Sequence, residues 1–218
     1  MLTLEHTTKR QLTMFQWFYF ICLIPSVVFH EVSHGYVANL FGDHTAKEQH
    51  RLSLNPLRHV DPFGTIILPA LLVFSGLPAF GYAKPVPVNA GRLRNPRKQM
   101  LWVALAGPAV NIVLSAVGFG ICEYAIHVSQ SQNQFLFGEA LGLVNLVLAV
   151  FNLIPIPPLD GSAVIERFVP MKHLPRYYHL RQRAMPFLIV FIILDYTFLH
   201  VGTNFLSDLE NWWFNLLR

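Results

Sequence analysis

The sequence predicts an all-α polytopic membrane protein, with about four full transmembrane helices, a re-entrant or hairpin segment and a C-terminal interfacial helix. Three observations lead there. Of 218 residues, 53% are hydrophobic and 13% charged, with a mean hydropathy of +0.42, whereas soluble domains carry about a quarter charged residues. Apolar runs at 14–41, 65–82, 100–127, 136–155 and 185–202 approach the roughly 20 residues that cross a bilayer as helix. The Lys and Arg residues fall between those runs, so the net charge of +4 reads as a positive-inside pattern and not as a nucleic-acid-binding surface.

The first run, 14–41, follows Lys9 and Arg10 as a signal peptide would. It lacks a small-x-small cleavage site and is read as a retained helix. It carries His30-Glu31-Val32-Ser33-His34. Imidazoles at i and i+4 share one helix face and can grip one zinc ion, and the Glu beside the first is placed to act as a base toward water. So short a pentad can arise by chance, and its position inside a span gives it weight. Ionisable groups are costly in hydrocarbon and mark a protein-lined or wet working site. Cys22 and Cys122 lie in apolar runs without metal-like or disulfide-like spacing and read as core residues.

Next come a polar loop and the doubtful run, within a segment 42–99 expected on the cytoplasmic side. His44, His50 and His59, with Asp43 and Asp61, enrich the loop in possible ligands, but no spacing among them defines a second metal site. The run 65–82 contains Pro69, Gly76, Pro78 and Gly81, and it leads into 81–89, whose prolines at 85 and 87 favour an extended chain. If 65–82 spans, Lys and Arg divide 12 inside to 4 outside; if it is re-entrant, 13 to 3, with Lys9, Arg10 and Arg218 outside. Charge barely separates these topologies. Motif depth does so better: with one intervening span, the helices carrying the pentad and Asp160 run parallel and bring both to the same membrane face. The re-entrant topology is therefore preferred, with the site nearer the cytoplasmic face of the cell membrane.

The 100–127 helix carries Gly107, Gly118 and Gly120 with Ala104 and Ala106, small faces suited to close packing. The 136–155 run closes with Asn152-Leu-Ile-Pro-Ile-Pro-Pro-Leu-Asp160-Gly161, and helix plus loop extend to 165. A last span is expected over about 176–202, which puts Asp195 near the outer interface in a structural role, with His200 close by. The tail, 203–218, pairs Trp212 and Trp213 with Leu206, Leu209, Leu216 and Leu217 and reads as an interfacial anchor.

A catalytic zinc needs a third protein ligand and an open position. Leu40 stands where a metzincin would place its third His. Glu48, Glu123 and Asp160 are the candidates. Pro155, Pro157 and Pro158 force an extended path before Asp160, and Gly161 frees the turn after it, which suits a carboxylate held rigidly in a cavity. The same pattern also fits an ordinary turn at a helix end.

His30 to Ala38, Gly107-Pro108-Ala109-Val110-Asn111, and Asn152 to Gly161 resemble, in order, the HExxH, GPxxN and NxxPxxxLDG signatures of the site-2 protease family of intramembrane zinc metalloproteases. The similarity runs from about residue 29 to 167 and, without room for a PDZ or CBS domain, points to the compact bacterial branch. The resemblance implies one zinc per chain held by His30, His34 and Asp160, with Glu31 as catalytic base and Asn111 and Asn152 near the substrate. The implied reaction is peptide hydrolysis in or near the transmembrane segment of a membrane-protein substrate, within the lipid bilayer and without a nucleic-acid partner. In 81–89, the N–H groups of Lys84, Val86 and Val88 share the edge opposite the prolines, so Val86 is a candidate for pairing with an extended substrate; a packed connector is the other reading. Asn111 and Asn152 can also serve as interhelical glue, the role expected of Asn145. Two other functions use the same residues: a metal transporter with a transit site at His30, His34 and Asp160, or an inactive scaffold. Glu31, redundant as a ligand but well placed as a base, argues against transport.

Overall fold

Helix α1, Leu2–Leu40, opens the computed structural model, which describes residues 2–77 and 80–217, with side chains from residue 14 onward. Pro78, Arg218 and the side chains of Lys9 and Arg10 lie outside the described residues. The apolar part of α1, Met14–Leu40, comprises 27 residues, about 40 Å of helix against a hydrocarbon core of about 30 Å. The helix stops in a Schellman motif. Gly42 takes φ +105°, its N–H bonds to Asn39 O (3.2 Å), and the N–H of Asp43 bonds to Ala38 O (3.0 Å). The pentad therefore sits about two turns before a well-defined end.

After α2 (Thr45–Glu48), a π turn over Pro62–Ile67 runs into α3, Leu68–Phe74. The Asp61 side chain caps it, accepting from the N–H groups of Phe63 (3.0 Å) and Gly64 (2.7 Å). The whole apolar helix, Pro62–Phe74, reaches only about 20 Å, so it does not cross a bilayer as one helix. Gly76, at φ +73°, turns the chain back, and residues 80–89 follow without regular structure.

Three helices form the core: α1, α4 (Pro96–Tyr124) and α5 (Gln132–Leu153), each packed on the other two. Asn95 caps α4, with Pro96 in its first turn and Gln99 reaching back to the Asn95 N–H (2.7 Å). The α4–α5 contact depends on Gly118, where a Cβ would collide with the backbone of Gly138 and Gly142. Gly120, expected to share that role, faces open space. α5 ends where Ile154 turns extended before Pro155. A loop holding Asp160 then leads into α6, Ser162–Glu166.

The last span departs from expectation. α7 (Leu174–Arg183) and α8 (Met185–Leu194) are separate helices, and the polar, basic Met171–Arg183 meets the apolar Met185–Leu199 at 51°. Pro186 has no N–H for the preceding turn and its ring crowds that turn, so the chain breaks at Ala184 and restarts with proline in the first turn of α8. Among the described residues, three helices are thus long and apolar enough to cross a membrane, or four if the bent pair is one span, and the chain is an all-helical polytopic membrane protein. α9, Val201–Asn215, includes most of the expected tail. Trp212 is exposed, but Trp213 is buried against Gly142 and Phe119, so this helix is docked on the bundle through one aromatic anchor. Asp195 caps it, accepting from the N–H groups of Val201 (3.1 Å) and Gly202 (3.0 Å), which gives that buried carboxylate the structural role expected of it.

Candidate metal and catalytic site

His30 and His34, one helical turn apart on α1, are buried between α4 and the loop after α5. Asp160 Oδ2 lies 3.1 Å from His30 Nε2 and 3.3 Å from His34 Nε2. These are the only three His, Cys, Asp or Glu residues among those described whose ligand atoms gather within 4.8 Å. The other candidates for third ligand lie elsewhere. Glu48 is exposed and paired with Arg92 (2.6 Å), a hydrogen bond that raises the guanidinium's proton affinity, and Glu123 pairs with His127 (3.3 Å). His44 bonds Asn39 and His59 bonds the carbonyl of Ser53, so the loop histidines form no second cluster among the described residues.

The proton positions follow from the partners. His34 Nδ1 is 2.7 Å from Val103 O, an atom that can only accept, so Nδ1 carries a proton and, in the neutral ring, Nε2 presents its lone pair. His30 Nδ1 lies 2.5 Å from Asn111 Oδ1, with the same consequence. In their neutral forms both rings aim bare nitrogens at the Asp160 carboxylate oxygen, which has no other hydrogen-bond donor. Three electron-rich atoms this close repel one another unless a cation or proton lies between them. Ligands at 2.0–2.2 Å around tetrahedral zinc stand about 3.4 Å apart, close to the separations here. The donor set fits a divalent cation, and the bonds at both Nδ1 atoms are the outer-sphere contacts that orient metal-bound imidazoles.

Gly107 makes the cluster possible. A Cβ there would lie 2.5 Å from His34 Nε2 and from His30 Cε1, so only glycine lets α4 pass this close to both rings. On the other side, the backbone N–H of Gly161 donates to Asn152 O (2.6 Å), tying the Asp160 turn to the end of α5.

Glu31 does not join the cluster. Its Oε2 accepts a hydrogen bond from the N–H of Val86 (2.8 Å), in the irregular strap 80–89 that crosses α1. The strap is fastened along its length. Lys84 N–H donates to His59 O (2.8 Å), Arg51 Nη2 donates to Lys84 O (2.8 Å) and Pro85 O (3.3 Å), and Asn89 N–H donates to the buried Asp43 Oδ2 (2.6 Å).

Two sequence expectations change here. The donors of Lys84 and Val86 are not a free edge for substrate; both are satisfied within the chain, and Val86 is buried. Asn111, expected near substrate, is wholly buried with its oxygen on His30 and its nitrogen on Asn145 Oδ1 (2.7 Å). Its side chain is spent on those two partners. Asn152 is half-buried and back-bonds to Leu148 O (2.9 Å). Arg51, Asp43 and Ser26 received no assignment from the sequence; Ser26 offered a signal, as the one hydroxyl a helical turn before His30 on the same face.

The fold and cluster define a class: a polytopic helical membrane protein with a buried His-His-Asp cluster whose donor set could hold a metal ion, and a glutamate outside that cluster. The model of peptidase family M50, the site-2 proteases, matches residues 18–135 and 124–194, and the chain belongs to that family. "Putative zinc metalloprotease YwhC" of Bacillus subtilis is 45% identical over 158 residues, 69% of this chain and 68% of that protein. "Putative zinc metalloprotease Rip2" is 32% identical in Mycolicibacterium smegmatis, over 66% of this chain and 54% of that protein, and 30% identical in Mycobacterium tuberculosis H37Rv, over 78% and 64%. The chain thus spans between about half and two thirds of the Rip2 proteins. No solved structure matches it.

Proposed function

We propose that this chain is an intramembrane zinc metalloendopeptidase that hydrolyses peptide bonds in or near transmembrane segments of membrane-protein substrates, as in regulated intramembrane proteolysis. The observation that carries the reading is the meeting of His30, His34 and Asp160 inside a membrane-spanning bundle, with Glu31 beside them and outside the ligand set. The zinc metalloprotease names of its relatives support zinc among the divalent ions that two imidazoles and a carboxylate accept. His30, His34 and Asp160 would hold one zinc per chain, which when bound would supply Lewis acidity toward the scissile carbonyl and toward water near neutral pH.

Glu31 takes the proton of the attacking water and delivers it to the leaving nitrogen; its hydrogen bond from Val86 N–H fixes the carboxylate for both transfers. His30 and His34 keep their protons at Nδ1 throughout. Asn152, in the last turn of α5 and tied through its carbonyl to the Gly161 N–H beside Asp160, is assigned to the substrate backbone. A helical substrate hides its carbonyls in i to i−4 bonds, so the target unwinds locally before attack. The outward faces of α1 and α4, with Phe20, Ile21, Ile24, Ile112, Val113 and Val117 exposed, suit contact with lipid. The Lys and Arg distribution supports a multi-pass cell-membrane protein with its site nearer the cytoplasm.

The test compares purified wild type, Glu31→Gln and Asp160→Ala for zinc content and for cleavage of a transmembrane model substrate in detergent or vesicles. The expected result is one zinc per chain and cleavage in the wild type, zinc without cleavage in Glu31→Gln, and neither in Asp160→Ala. Cleavage by Glu31→Gln at the wild-type rate would refute the assignment of the base. Full zinc retention in Asp160→Ala would refute the ligand set.

A further inference from the structure

A chain of buried amides runs from the metal cluster into the middle of the bundle. His30 Nδ1 lies 2.5 Å from Asn111 Oδ1 on α4, Asn111 Nδ2 donates to Asn145 Oδ1 on α5 (2.7 Å), and Asn145 Nδ2 donates to Ser26 Oγ on α1 (2.8 Å) and to Leu141 O (2.9 Å). Ser26, Asn111 and Asn145 are each at most 1% exposed. We infer that Asn145 and Ser26 are positioning residues for the metal centre, because they fix the direction in which Asn111 presents its oxygen and hence the tautomer of His30. The inference rests on the metal site of the preceding section.

The direction is set at the far end. An amide can be turned over, exchanging its donor and acceptor, and Asn111 facing His30 the wrong way would put an N–H against Nδ1. That would force the imidazole proton onto Nε2, the atom aimed at Asp160. Asn145 removes the ambiguity. The backbone carbonyl of Leu141 can only accept, so the nitrogen of Asn145 must face it, and the second proton of that nitrogen goes to Ser26 Oγ. The oxygen of Asn145 then faces Asn111, which can meet it only with its nitrogen. The oxygen of Asn111 is left for the Nδ1 proton of His30, and Nε2 keeps its lone pair for a metal. One main-chain carbonyl thus determines, through two amides on two helices, which ring nitrogen of His30 is a ligand. Ser26 and His30 are i and i+4 on α1, so the relay leaves and returns to the same helix face.

The experiment measures metal affinity by zinc competition with a chromophoric chelator and by cobalt titration, for the full chain in detergent. Far-UV circular dichroism and metal-free thermal unfolding serve as controls. Asn145→Leu is expected to weaken zinc binding by about 10- to 100-fold, the usual effect of losing an outer-sphere partner. Asn145→Asp, which in its neutral form still accepts from Asn111 and donates one proton, is expected to stay within about 3-fold of wild type. The decisive variant is Asn145→Leu in an Asn111→Asp background. A carboxylate presents an oxygen to His30 whichever way it turns, so there the added cost of Asn145→Leu is expected to fall below about 2-fold. An equal loss of affinity in both backgrounds would reduce Asn145 to helix packing and overturn the inference, as would unchanged affinity in Asn145→Leu alone. A wild type that binds no zinc overturns the underlying metal site as well, and so separates that failure from this one.

Discussion

Gly107→Ala is expected to disable the metal centre while the bundle stays folded. The new methyl carbon would sit 2.5 Å from His30 Cε1, 2.6 Å from His30 Nε2 and 2.5 Å from His34 Nε2. Ordinary contacts between such atoms are about 3.5 Å, so both rings must retreat by about 1 Å. They cannot swing aside freely, because each is tethered at Nδ1, to Asn111 (2.5 Å) and to Val103 O (2.7 Å). Either the tethers break or α4 moves away from α1, and overpacking of this kind costs about 1–3 kcal/mol. A displacement near 1 Å at a reacting centre lowers rate by about 100-fold, and zinc affinity is expected to fall by at least about 10-fold. Zinc content, chelator competition and cleavage of the model substrate read these losses directly. Gly120→Ala on the same helix is the control, since nothing lies within 4 Å of a Cβ there; it is expected to keep wild-type zinc and cleavage. Wild-type affinity and cleavage in Gly107→Ala would refute the reasoning that this glycine exists to admit the two rings.

Two further outcomes follow from contacts around the site. Val86→Pro deletes the N–H donated to Glu31; a hydrogen bond to a charged group contributes about 1.5–3 kcal/mol, so cleavage should fall by at least about 10-fold with zinc content unchanged, and a parallel loss of zinc would mean that the strap supports the ligands instead of the base. Asp195→Ala removes the cap of α9 and should lower stability by about 0.5–2 kcal/mol, seen as a drop in Tm in detergent, with kcat per bound zinc preserved; a lost kcat would assign Asp195 a role beyond capping.

Much of the site was legible because its residues are improbable where they stand. His30, Glu31 and His34 announce themselves inside an apolar run, and local stereochemistry alone puts the two imidazoles on one face. Asp160 is marked by the prolines and glycine around it, which favoured it over Glu48 and Glu123, and the geometry puts those two elsewhere. The strap was legible as extended chain but not in its pairing: an N–H on one edge of a Pro-rich segment looks free in a sequence, and only the approach of α1 occupies it with Glu31. Asn111 and Asn145 were visible as amides needing partners. Their order in the relay was not, since it depends on which helices meet at which height.

The sequence by itself determined that this chain crosses a membrane as helices and carries a zinc-type pentad within the first of them, because hydrophobic length and the i, i+4 spacing are properties of the local chain. It did not settle whether 65–82 spans, and preferred re-entry only on the matched depth of the two motifs. Only the tertiary structure decided that Asp160 meets both imidazoles, that Gly107 clears the space for them, that the last helix pair breaks at Ala184, and that Asn145 reaches His30 through Asn111. Each of these joins residues dozens of positions apart, and such contacts are fixed by how closely three helices can pack and not by anything a single segment encodes.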